Sequence, residues 1–176
     1  MPMPGRHSWT ERMVGAAKLD ANIYEEVEAD TSANGQAGGV VALAAVAQAI
    51  GAIGEGGMGL LGGVIGALAG WLIWAGVTYL VGAKLLGGTA TWGELLRTLG
   101  FAQVPGVLAV LGIIPVVGGL VRVVVAIWIL IAGVIAIRQA LDVSTGKAVL
   151  TAVLGWLALA LPLLIFGLMG AGEPPR

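Results

Sequence analysis

The chain has 176 residues, 58% of them hydrophobic and only 11% charged, against the ~25% charged of ordinary soluble domains. A net charge of −1 excludes a strongly basic nucleic-acid binder, and the absence of cysteine excludes a disulfide framework, iron–sulfur ligation and a thiol nucleophile. From Gln36 to Gly172 the only charged side chains are Glu55, Lys84, Glu94, Arg97, Arg122, Arg138, Asp142 and Lys147, and the stretches between them approach the ~20 apolar residues that cross ~30 Å of hydrocarbon.

These features predict an all-α protein, a polytopic transmembrane bundle of about five helices preceded by a cytoplasmic amphipathic helical segment. Residues 1–35 form the tail and amphipathic part, 36–170 the membrane domain and 171–176 a C-terminal tail. Ser8 with Glu11 fits a capping box, after which Trp9, Met13, Ala16 and Ala17 recur at helical spacing. Asp20 can cap a second segment holding Ile23, Tyr24 and Val27. Neither piece is long enough to span, so residues 8–29 are expected to lie on the membrane or on the other helices. Residues 1–36 mix charges of both signs and lack an apolar signal-peptide core, so the first span is expected to be a retained anchor.

That span runs from about Gln36 to Ile53, followed by a turn at Gly54-Glu55-Gly56-Gly57. The second runs from Met58 to about Leu86, long enough to require tilt, a bend or protrusion. Thr91 with Glu94 makes another capping box, opening a helix that leads into a third span ending near Ile114. Pro105 should kink that span or mark its start. A turn at Pro115 and Gly118-Gly119 precedes a fourth span, about Val117–Ile137, and a polar loop at 142–146 precedes a fifth, about Lys147–Met169. The alternative for residues 99–139 is a re-entrant hairpin, leaving three full spans. With five spans and the N-terminus inside, Arg6, Arg12, Lys18, Lys84, Arg97, Arg138 and Lys147 fall inside and only Arg176 outside, as the positive-inside rule requires.

Few residues within the spans carry chemistry. Gly62, Gly66 and Gly70 recur every four residues, a spacing that lets helix backbones approach closely; Ala45 and Ala49 offer a matching face. Arg122 lies about one and a half turns inside the fourth span, where a cation is costly unless it snorkels or pairs. Its expected partners are Glu55, a lipid phosphate or a loop carbonyl. Gln48 and Gln103 each need a hydrogen-bond partner in hydrocarbon and should face other helices. Trp71, Trp74, Trp128 and Trp156 lie inside spans, where their indole N–H groups need acceptors, whereas Trp9 and Trp92 fall at the inner surface. The single histidine, His7, is in the tail, and no span interior holds a carboxylate. No catalytic residue, cofactor site or metal site is therefore expected.

The segments AAKLDANIYEEVEAD, LLRTLGFAQVPGVLAVLGIIP and RQALDVSTGKAVLTAVLGW resemble bacterial members of the Ypt-interacting protein (Yip) domain family over about residues 12–165. The resemblance implies five transmembrane helices with a cytoplasmic N-terminus, in a bacterial cytoplasmic membrane. Eukaryotic relatives act in vesicle traffic and associate with Rab-type GTPases and with one another. Their Asp-Leu-x-Gly-Pro stretch is absent here, so GTPase binding is not carried over, and there are no catalytic residues to carry over. The expected activity is non-enzymatic: binding other membrane protein subunits or a second copy, or organising membrane lipids. The alternatives are a small transporter or channel component, which needs Gln48, Gln103 and Arg122 to converge on one cavity, and an accessory subunit of a larger membrane complex.

Overall fold

In the computed structural model, residues 7–53 and 60–170 are described, with side chains to residue 158. The expected turn around Glu55 lies outside the described residues. Helices α1 (Trp9–Ala17) and α2 (Ala21–Ala29) lead through a short 3₁₀ turn, Thr31–Ala33, into α3 (Asn34–Gly51). Next come α4 (Leu60–Tyr79), extended by a π-helical stretch Leu80–Leu85, and α5 (Trp92–Phe101), extended by a 3₁₀ helix Val104–Ile113. The last two are α6 (Val117–Leu141) and α7 (Thr145–Gly170). By length and composition, Thr31–Gly51, Leu60–Leu85, Trp92–Ile113 and Val117–Leu141 can each cross a membrane. The 26 residues of α7 continue the same apolar pattern.

Local chemistry accounts for most boundaries. Both capping boxes form: Ser8 accepts from the Glu11 N–H, Thr91 accepts from the Glu94 N–H, and each glutamate reaches back to its cap. Asp20 caps α2 by accepting from Asn22. Asp142 ends α6 in the left-handed conformation (φ 51°), which short polar side chains tolerate. At Pro105 the third span changes pitch instead of stopping. A proline cannot donate to the preceding turn, and the chain continues as a ten-residue 3₁₀ helix, unusually long for that geometry. The fourth span runs one turn further than expected, to Leu141, because Ile137, Ala140 and Leu141 are buried in the core.

The N-terminal helices join the bundle instead of lying free on a membrane surface. Ile23, Tyr24 and Val27 of α2 belong to the same core as Leu95, Leu99 and Phe101 of α5 and Ala132, Ala136 and Ile137 of α6. Burying side chains of the size of Ile23, Tyr24 and Val27 is worth ~1.5–3 kcal/mol each, so α2 is fixed to the bundle by tertiary packing. Helices α1 and α2 occupy the end formed by the starts of α3, α5 and α7 and the end of α6, called here the proximal end. At this end Thr89 N–H donates to the Leu141 carbonyl (3.1 Å) and Lys147 Nζ to the Leu86 carbonyl (3.2 Å). The opposite, distal end is made by Gly51, Ile113 and Gly118.

Candidate functional site

Two polar constellations stand out among the described residues, one at each end. The proximal one is centred on Arg12, only 1% exposed. Its Nε donates to Glu26 Oε1 (3.0 Å), Nη1 to Gln36 Oε1 (3.0 Å) and Nη2 to Asp30 Oδ2 (2.9 Å). Glu26 also holds His7, its Oε2 lying 2.6 Å from Nδ1. That hydrogen bond and the carboxylate charge raise the His7 pKa above its ordinary value. Asp30 caps the 3₁₀ turn by accepting from the Ser32 N–H and hydroxyl. One guanidinium thus ties α1, the end of α2 and the first turn of α3 together.

Arg97, also buried, does a related job from α5. Its Nε donates to the carbonyls of Val27 and Glu28 (both 3.1 Å), and its Nη2 donates to Glu28 again. These carbonyls belong to the last turn of α2, which lacks intrahelical donors and carries the negative end of the helix dipole. The Glu28 side chain is half-buried near Asp142, Glu94 and Glu25. Burial first, then these like charges, push its pKa up to about 7 despite Arg97. Trp128 Nε1 completes the docking by donating to the Ala17 carbonyl (2.9 Å), and Trp71 Nε1 joins α4 to α5 by donating to the Leu96 carbonyl (3.0 Å).

Sequence reasoning counted Arg12 and Arg97 only as orienting charges. A signal was available at Arg97, flanked on both sides by the apolar residues of LLRTLGF. Arg12 had none, because its partners lie 14, 18 and 24 residues away.

The distal constellation contains two of the residues singled out from the sequence. Gln48 of α3 and Arg122 of α6 line one cleft of about 330 Å³, together with Gly51, Ala52, Ala109, Val125, Ala126 and Ile129. Arg122, Val125, Ala126 and Ile129 fall at i, i+3, i+4 and i+7, a single face of α6. The cleft floor is set by backbone proximity: a Cβ at Gly51 would run into the Ala109 carbonyl and one at Gly112 would lie 3.0 Å from the Gly51 carbonyl. Gln48 and Arg122 are both exposed. Gln103 is half-buried where α5 passes into its 3₁₀ extension and does not line the cleft. Glu55 lies outside the described residues. Of the α4 glycines, Gly66 and Gly70 are exposed, Gly62 is half-buried, and a Cβ at Gly70 would meet nothing within 4 Å.

Chemically, the distal cleft places a cation and an amide beside an apolar wall. Among the described residues no cluster of three or more His, Asp or Glu side chains is placed to hold a metal.

No curated protein and no solved structure matches the chain significantly. The family profile of the Yip1 domain does match, over residues 31–167, from the turn that Asp30 caps through all the membrane-length helices. The chain therefore belongs to the Yip1 domain family of membrane proteins.

Proposed function

We propose that this protein is a non-enzymatic, five-span component of the bacterial cytoplasmic membrane, with a cytoplasmic N-terminus, that works by binding other membrane proteins through its lipid-facing helices. The observation that carries this reading is α4. Only Ala75 and Thr78 of its 20 residues are buried. Leu61, Ile65 and Ile73 stand exposed, with Gly66 and Gly70 beside them. Small residues on an uncovered helix face let another helix approach until backbones touch, the main source of association where no hydrophobic effect operates between helices. The transporter reading has weaker support, because Gln103 does not share the cleft of Gln48 and Arg122.

Mild detergent extraction followed by identification of co-purifying membrane proteins tests the proposal. A defined partner should co-purify with the wild-type chain. Gly66→Leu/Gly70→Leu should reduce its recovery at least severalfold while thermal stability is retained. A wild-type chain that purifies as a monomer free of other proteins, or undiminished recovery by the variant, would remove the reading.

A further inference from the structure

We infer that the seating of α2 on the bundle is a pH-operated latch: the end of α2 is fully docked while the Glu28 carboxyl group is protonated and is loosened when that group ionises. It operates whichever side of the membrane the proximal end faces and whatever protein α4 binds.

Three observations carry it. First, position: Glu28 lies in the last turn of α2, at the junction with α5, where Arg97 grips the carbonyls of Val27 and Glu28. Those carbonyls carry the negative end of the helix dipole, which disfavours a further negative charge beside them. Second, surroundings: the charges around the half-buried Glu28 side chain are Glu25 on its own helix, Glu94 and Arg97 on α5 and Asp142 at the end of α6. The other three carboxylates are each held by a donor. Glu25 accepts from Gln139 Nε2 (2.6 Å), Glu94 from the Thr91 N–H (2.7 Å) and Asp142 from the Thr89 hydroxyl (3.0 Å). The side-chain donors that reach Glu28 among the described residues end on its backbone carbonyl. Third, the nearby cations are engaged elsewhere. Arg97 turns its remaining nitrogen, Nη1, to Asn34 Oδ1 (3.4 Å). Arg12 of α1 is committed to Glu26, Asp30 and Gln36, and Arg138 of α6 donates to Gln139. Ionised Glu28 therefore meets burial, the helix dipole and three like charges, and protonation removes all three penalties.

The direction of the response follows. These surroundings hold the Glu28 pKa at about 7 in the docked chain, and release of α2 returns it to the ordinary carboxylate range. Between the two values the docked form keeps a proton that the released form has lost. Docking thus weakens as the pH rises from the carboxylate range through about 7, and Glu28 adds nothing further above that. Release uncovers Ile23, Tyr24 and Val27 on the buried face of the same helix.

Hydrogen–deuterium exchange of the full chain in neutral-detergent micelles tests the latch, with each rate divided by that of an unstructured peptide at the same pH. In the wild type, protection of the amides of residues 21–29 should fall about tenfold between about pH 5 and about pH 9, solvent screening of a half-exposed group included. Protection of α6 should stay constant. Glu28→Gln keeps the shape and removes the charge. It should match the wild type at the acid end and remain about tenfold more protected at the alkaline end, with α6 protection confirming that it is folded. His7, whose pKa is raised by its hydrogen bond to Glu26, titrates with the same sign, so His7→Gln is the control and should keep the wild-type fall. Protection of residues 21–29 that is independent of pH in the wild type would overturn the latch, a comparison that needs no variant to fold. So would an equal fall in Glu28→Gln, or loss of the fall in His7→Gln, which would assign the response to His7 and Glu26.

Discussion

The side chain that does most to define the proximal end is Arg12. It is buried, and its two charged partners differ in exposure: Asp30 is 6% exposed at the side chain and Glu26 24%. Removing one member of such a pair strands the other, which costs more than the pair contributes. Arg12→Met is therefore expected to lose about 3–5 kcal/mol of stability, measured by denaturant titration in micelles. A loss below ~1 kcal/mol for the single variant would mean that Arg12 behaves as an exposed surface pair. Why the sequence did not reveal this is a matter of range. Helical periodicity and capping are local, and both were legible at Ser8, Asp20 and Thr91. Arg12 meets Gln36 and Arg97 meets Glu28 only after the helices have packed, and from sequence alone a buried arginine has the same signature as a solvated one.

At the scale of elements, the close approach between α3 and the 3₁₀ helix shows which glycines the packing uses. The regular spacing of Gly62, Gly66 and Gly70 was conspicuous in the sequence. Of these, Gly70 has open space where a Cβ would lie, whereas tight contacts occur at Gly51 against Ala109, Gly112 against Gly51, and Gly100 against Ala37. These pairs come from different segments and carry no period, so a scan along one helix cannot find them. The pitch change at Pro105 was only half legible: proline forecasts a disturbance, but not that ten residues would continue as 3₁₀ helix. The same geometry brings Ala109 to the cleft beside Gln48. A prediction follows for α3. Gly51→Ala places a methyl on the Ala109 carbonyl, a backbone atom that cannot swing away, and should cost about 1–3 kcal/mol of stability as overpacking does. Gly35→Ala, on the same helix with nothing within 4 Å of its Cβ, should instead be neutral or stabilising by up to about 1 kcal/mol. Equal effects of the two in thermal unfolding would show that α3 is not held by this contact.

For the whole molecule, the concentration of basic residues at the proximal end makes a topological claim. Arg12, Lys84, Arg97, Arg138 and Lys147 all belong to segments at the proximal end, where α1 and α2 also dock, and among the described residues the distal end has only Arg122. The proposed orientation, with α1 and α2 in the cytoplasm, is the one that the positive-inside rule predicts for this distribution. An even number of crossings between two probes places them on one side, an odd number on opposite sides. Val116, 99% exposed in the turn before α6, and Ser144, exposed in the loop after it, are separated by α6 alone. Because the chain has no cysteine, Val116→Cys and Ser144→Cys give clean single probes. In intact cells or sealed vesicles a membrane-impermeant maleimide should reach position 116 from outside, and position 144 only after the membrane is opened. Labelling of neither position until the membrane is opened would mean that α6 does not cross and that residues 99–139 form a re-entrant hairpin. The reverse pattern would keep the crossing but invert the bundle, placing the Arg12 network outside and the Arg122 cleft in the cytoplasmic leaflet.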